Sequence, residues 1–204
     1  MNLEYDGMYF FVKKGLFMKA NPRVAWRIAY HQVFSTEEVE DIRLLQGKYW
    51  DKGTVEDEKI EEDMRMVSVQ PYLGDMNQAW VQKLYDCVKA ANTAIWNFDI
   101  AGFHQKEPLQ FLRYTQHGHY EWHIDHDSQS PTRKLTFILQ LSSWKDYRGG
   151  GLQFFPKITH VSEATLGKVG TLIVFPVYVP HQIQPMVFGV REALVGWIHG
   201  PSFR

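Results

Sequence analysis

From residue 108 to residue 198 the chain alternates apolar and polar side chains with a period of two, interrupted every few residues by turn signals. Successive side chains on a strand point to opposite faces, so this pattern marks many short, half-buried strands and predicts a sandwich or barrel. Residues 109–115 form the first such strand, ended by His117-Gly118, and 120–125 the second, followed by a turn through 128–131. Leu135, Phe137, Leu139 and Leu141 share one face of a long third strand that stops at Gly149-Gly150-Gly151. Strands are also expected over 152–155, 158–161, 171–179 and 192–198. The fold class expected is mainly β with flanking helices (α+β): a double-stranded β-helix, or jelly roll, with N-terminal helices packed outside.

The first 107 residues supply those helices. Ser35 before Thr36-Glu37-Glu38 reads as a capping box opening a helix that runs towards Tyr49, with Val39, Ile42 and Leu45 on one stripe. A second helix follows Gly74-Asp75, with Trp80, Leu84, Val88, Ala91 and Ile95 at helical spacing and Cys87 in the core. Residues 8–12 read as a strand. Between the helices, residues 51–63 hold seven acids against two lysines, the composition of a solvated, mobile loop. At 204 residues one domain is expected (1–204), with 1–107 as supporting strands and helices and 108–199 as the jelly-roll core.

Several function classes fall away on composition. A net charge of −1 disfavours a nucleic-acid partner, and no stretch approaches the roughly 20 apolar residues of a membrane span. A single cysteine excludes an internal disulfide and multi-cysteine zinc sites. The N-terminus lacks a secretory pattern, so a reducing, cytoplasmic setting is expected.

What remains is a constellation in the last third: His123-x-Asp125, then His181, then Arg191. On one strand His123 and Asp125 share a face, opposite Tyr120, Trp122 and Ile124. Two imidazoles and a carboxylate are the donor set of non-haem Fe(II), with coordination positions left open. Arg191 opens the last strand, with Ala193, Val195 and Trp197 on its inward face. A buried guanidinium there wants an anion, and no acid on that face offers one. The far carboxylate of 2-oxoglutarate would be that anion, held fork to fork. Tyr114 could donate to the same ligand, and Thr136 and Gln140 could line its pocket. Trp197, Tyr120 and Arg148 are candidates for a substrate groove over the metal. His117, His119 and His126 read as solvated or supporting.

At these residues the chain resembles the prolyl-hydroxylase branch of the Fe(II)/2-oxoglutarate dioxygenases. The likeness runs from about 109 to 198 through Leu112-Arg113-Tyr114, Gly118-His119-Tyr120, His123-Ile124-Asp125 and Gly150-Gly151-Leu152-Gln153-Phe154. Its strongest element, from His181 through Pro185 and Gly189 to Arg191, is similar to a His-x-Val-x-Pro-Val-x-x-Gly-x-Arg signature. The lead-in Tyr30-His31-Gln32-Val33-Phe34-Ser35 also looks like that branch. The resemblance implies Fe(II) on His123, Asp125 and His181, 2-oxoglutarate on Arg191 and Tyr114, O2 as oxidant and ascorbate as reductant. It implies hydroxylation of an unactivated C–H bond, with succinate and CO2 released and a prolyl residue of a protein or peptide as substrate. Some relatives carry Lys where Arg191 stands and a second Tyr where Gln140 stands. The alternatives are the same chemistry on another protein side chain or a small metabolite, and a metal-binding jelly roll without turnover.

Overall fold

The computed structural model describes residues 4–5, 28–54, 60–155 and 162–203. The strands expected over 8–12 and 158–161 lie outside the described residues. In chain order the elements are β1 (Glu4–Tyr5), β2 (Ala29–Gln32), α1 (Thr36–Arg43), β3 (Asp51–Lys52), β4 (Arg65–Met66), β5 (Ser68–Pro71) and α2 (Ala79–Ile95). They continue with β6 (Gln110–Tyr114), β7 (His119–His123), β8 (Arg133–Gln140), β9 (Arg148–Gly149), β10 (Leu152–Phe154) and α3 (Glu163–Leu166). The last are β11 (Thr171–Pro176), β12 (His181–Ile183), β13 (Met186–Phe188) and β14 (Arg191–His199).

The strands pair antiparallel in an eight-stranded sheet, β1-β2-β11-β8-β14-β6-β5-β3, and a four-stranded one, β10-β12-β7-β4, with β13-β9 as a small third sheet. This is the jelly roll that the alternation predicted. The large sheet is buried on both faces. Leu135, Phe137, Leu139, Leu194 and Ile198 pack outward against Val39 and Ile42 of α1 and Val81, Leu84, Val88 and Ala91 of α2. Ile138, Ile173, Phe175, Ala193 and Val195 face the interior, where they meet Leu152, Phe154 and Ile183 of the smaller sheet. The period of two along β8 thus divides one strand between two cores, leaving Thr136 and Gln140 inside the barrel.

The helices follow the sequence with one correction. Ser35 Oγ accepts from Glu38 N at 3.2 Å while Ser35 N donates to Glu38 Oε2 at 2.8 Å, so the capping box is present. α1 stops at Arg43, however, short of Tyr49, and Leu45 is exposed rather than on the buried stripe. Gln70 of β5 explains the stop: its amide binds Gly47 N and Tyr49 O, drawing the chain into an extended path. α2 spans the expected stretch and buries Leu84, Cys87, Val88, Ala91 and Ile95. The acidic segment is not wholly loop either, because Asp51–Lys52 pair with β5 as an edge strand. The short helix α3, capped by Ser162 Oγ on Thr165 N, carried no periodic signal to predict it. Among the described residues no helix is long and apolar enough to cross a membrane.

Candidate metal centre

β7 and β12 bring His123 and His181 directly opposite one another. The register then slips: Ile183 faces Tyr120, so Glu121 and Trp122 of β7 stand against Gln182 alone, a β-bulge. Simple alternation placed Tyr120 on the face away from His123. The bulge reverses that, and the two rings stack inside the barrel with centroids 3.5 Å apart. Asp125 is likewise not on the strand but two residues past its end, in a bend. Its backbone is held by Val177 O, which accepts from Asp125 N at 2.8 Å, and by Arg133 Nη1, which donates to Asp125 O at 3.0 Å.

The three side chains converge. His123 Nε2 lies 3.6 Å from Asp125 Oδ1 and His181 Nε2 lies 3.7 Å from Oδ2, and one ligand atom from each falls within 4.8 Å of the others. Both Nδ1 atoms face a main-chain carbonyl: His123 to Glu121 O at 2.7 Å and His181 to Val179 O at 3.0 Å. A carbonyl only accepts, so each Nδ1 carries a proton, which leaves Nε2 as the nitrogen turned towards Asp125 and available to a metal. Thr136 Oγ1 donates to Asp125 Oδ2 at 2.6 Å, orienting the carboxylate. Burial first, and then the neighbouring His181, push the His123 imidazole down to about 3. Burial opposes ionisation of Asp125, but His181, His123, the Thr136 hydroxyl and Arg133 outweigh it and hold the carboxyl below its usual range. Two imidazoles and one carboxylate are a donor set for a divalent cation.

Arg191 stands directly across from Tyr114 in the β14–β6 register, with its guanidinium 5.4 Å from the phenol ring centre. Both are buried, at 2% and 1% exposure. Among the described residues Arg191 has no ion pair, and its Nη2 is buried without a hydrogen-bond partner. The adjacent Glu192 cannot serve, because it points to the other face of β14 and is held by Arg43 and Arg113. Gln140 Oε1 is a second unpartnered buried atom, and it lines the same 60 Å³ cavity as Arg191, with Tyr147, Gly151 and Leu152. A carboxylate reaching Arg191 would satisfy the guanidinium, and a half-turn of the Gln140 amide would add an N–H donor. Burial foremost raises the Tyr114 phenol, so it stays a donor. These orphaned groups would fit a carboxylate such as the far end of a 2-oxo diacid.

The remaining expectations divide. Thr136 touches Asp125 rather than the Arg191 cavity. Trp197 lies opposite Thr136, with its indole N–H buried and unpartnered and the Arg133 guanidinium 3.8 Å above its ring. Arg148 is exposed in β9 and donates to the Tyr147 carbonyl, with no contact to the three ligand candidates. The sequence did not single out Arg133, Glu107 and His199, which form one largely buried network beside Asp125. Arg133 binds Glu107 Oε1 through Nε and Nη2, and His199 Nε2 meets Glu107 Oε2 at 2.6 Å. Their only sequence signal is a charged residue at each end of a strand pair, too common to select them.

Residues 109–199 match the model of the family described as the 2OG-Fe(II) oxygenase superfamily. A PKHD-type hydroxylase of Synechococcus sp. (strain CC9902) is 39% identical over 80 residues, which is 39% of this chain and 35% of that protein. A PKHD-type hydroxylase of Stutzerimonas stutzeri (strain A1501) is 24% identical over 178 residues, covering 81% of this chain and 75% of the other. The chain therefore spans about a third of the first relative and three quarters of the second. Among solved structures, a Pseudomonas putida prolyl-4-hydroxylase superposes with a TM-score of 0.64 at 21% identity, over 84% of this chain and 92% of that one. A Trichoplax adhaerens prolyl hydroxylase, solved with a hypoxia inducible factor peptide fragment, gives 0.65 at 19% identity, over 85% and 83%. The matches bear out the resemblance read from the motifs, and the solved structures share the fold.

Proposed function

We propose that this chain, whose residues 109–199 match the 2OG-Fe(II) oxygenase superfamily, is a 2-oxoglutarate-dependent hydroxylase of an unactivated C–H bond. Its preferred substrate is a prolyl residue in a protein or peptide. The observation that carries this reading is the Arg191 guanidinium, which has no ion pair among the described residues and is buried in the same interior as His123, Asp125 and His181. A metal site alone has no use for it; a cosubstrate with a distal carboxylate does.

His123, Asp125 and His181 would hold Fe(II), and Arg191 with Tyr114 and Gln140 would hold 2-oxoglutarate. When bound, Fe(II) and 2-oxoglutarate supply O2 activation with release of succinate and CO2, and ascorbate would keep the metal reduced. The protein's own part is geometric. Thr136 orients the carboxylate, the two Nδ1–H···O bonds fix the imidazole planes, and Tyr120 stacks on His123 to limit its rotation. No side chain has to act as a general base, because the metal and cosubstrate carry the chemistry. For the substrate, Trp197 with its unpartnered indole N–H stands beside Thr136 at the ligand cluster. Trp122 and Phe155 are exposed, with their rings edge to face at 6.4 Å. Aromatic surface of this kind suits a proline-containing peptide in extended form, and prolyl hydroxylases are among the structural neighbours.

The test is the visible spectrum of the protein with Fe(II) and 2-oxoglutarate under anaerobic conditions. Chelation of the 2-oxo acid produces a charge-transfer band that neither component has alone. The band should vanish in Asp125→Ala and weaken in Arg191→Ala. Its absence from protein shown to contain Fe(II) would overturn the reading. Succinate release stimulated by proline-containing peptides, and not by free amino acids, would support the substrate.

A further inference from the structure

Asp125 differs from the two histidines in one respect: no strand carries it. It lies beyond the end of β7, where ladder pairing no longer fixes the main chain. Among the described residues two hydrogen bonds hold its main chain, from its N–H to Val177 O and to its carbonyl from Arg133 Nη1. The second depends on a long side chain that, left alone, samples many rotamers.

Three contacts remove that freedom. Glu107 takes the Nε and Nη2 edge of the guanidinium on a single carboxylate oxygen. The face of the guanidinium rests on the Trp197 ring at 3.8 Å. Glu107 is in turn fixed by His199 Nε2 on its other oxygen, and His199 Nδ1 meets Thr132 Oγ1 at 2.9 Å. A chain of contacts therefore runs Thr132–His199–Glu107–Arg133–Asp125. The side chains of Arg133 and Glu107 are 14% and 20% exposed, so water screens the pair weakly.

We propose that Glu107 is a positioning residue for the metal centre, acting through Arg133 on the main chain of Asp125. This rests on the assignment of Asp125 as a metal ligand. Glu107 has two effects. It sets the guanidinium plane so that Nη1 meets the Asp125 carbonyl. It also occupies the cationic edge of Arg133, which would otherwise be free to swing onto the Asp125 carboxylate and compete with a metal for its oxygens. Removing the Glu107 charge weakens metal binding on both counts, although Glu107 touches neither the metal ligands' side chains nor the cosubstrate pocket.

The experiment is Co(II) titration of the full chain, followed by the d–d absorption of the bound ion, with thermal melting recorded on the same samples. Wild type, Glu107→Gln, Arg133→Gln, Asp125→Ala and Arg113→Gln are compared; Arg113→Gln breaks an ion pair on the other face of β14. Supporting parts of metal sites contribute about 10- to 100-fold to affinity. Glu107→Gln and Arg133→Gln should therefore each weaken Co(II) binding at least about tenfold and alter the band shape, with Arg113→Gln unchanged. Arg133→Lys, which retains charge without the fork, should not rescue affinity. If Arg133→Gln fails to fold, Glu107→Gln, which keeps the side-chain volume, decides the matter. Wild-type affinity and spectrum in Glu107→Gln would overturn the proposal while leaving the metal site standing. Wild type that binds no more tightly than Asp125→Ala would overturn both.

Discussion

Tyr120 and His123 lie three positions apart on one strand, yet their rings are stacked face to face, 3.5 Å between centroids and 13° between planes. An unbroken strand would send them to opposite faces. The extra residue of the β7 bulge restores them to the same side, and Arg65 covers the outer face of Tyr120 at 4.7 Å. The imidazole is thereby gripped by a ring on its face and a carbonyl on its Nδ1.

The carboxylate is gripped by Thr136. Thr136→Val keeps the shape of the side chain and deletes the donor to Asp125 Oδ2. Co(II) titration should show affinity reduced by about tenfold, and Thr136→Ser should restore it. Equal affinity in all three proteins would mean that the hydroxyl does not orient the ligand.

Arg191→Leu separates two roles. The substitution removes a buried charge with no partner among the described residues, so the ligand-free protein should gain about 1–3 kcal/mol, a rise of a few degrees in Tm. The same variant should weaken the 2-oxoglutarate charge-transfer band, as expected for Arg191→Ala, while retaining metal affinity. A fall in Tm would indicate that the guanidinium is already satisfied.

His119 gives the fold a pH dependence. Its Nδ1 faces His117 O at 2.8 Å and its Nε2 faces Asp63 O at 3.1 Å, two acceptors that only the doubly protonated ring can satisfy. Burial opposes protonation, but the carbonyls of His117 and Asp63 and the charges of Glu121 and Asp63 outweigh it and raise the imidazole above its ordinary value. A raised folded pKa contributes stability that is fully present below the unfolded value and lost as pH rises through the folded one. The melting temperature of wild type relative to His119→Phe should therefore be highest in mild acid and shrink through neutrality. A constant difference from about pH 5.5 to about pH 9 would refute this.

Leu84 tests whether the outer core is independent of the site. It is fully buried between α2 and the large sheet. Leu84→Ala should cost about 2–5 kcal/mol in denaturant unfolding, with Co(II) affinity within about twofold of wild type, since separated sites act independently. A large loss of affinity would couple the two cores.

Much of this architecture was legible because alternation and spacing are local. The two faces of β8 and the stripe of α2 follow from residue order alone. His123, Asp125 and His181 converge in space as their spacing suggested, but the parity argument for them was incomplete. A bulge depends on the partner strand, so the inward turn of Tyr120 could not be read from β7 by itself. The stop of α1 at Arg43 depended on Gln70, and the network beside Asp125 joined Glu107 to Arg133 and His199 across separations that no periodicity records.

The contact between Glu107 and His199 spans 92 positions and joins the approach to the first core strand to the end of the last. A bond of that span closes a long loop, and the entropy of that closure opposes it. Folding dominated by such distant pairings is slow. The Asp125 main chain is tied to this closure through Arg133, so loosening the end of the last strand at His199 would loosen the carboxylate position too. The two ends of the β6–β14 segment are thereby latched together beside Asp125, so the carboxylate position reports on the closure of the sheet as well as on its own strand end.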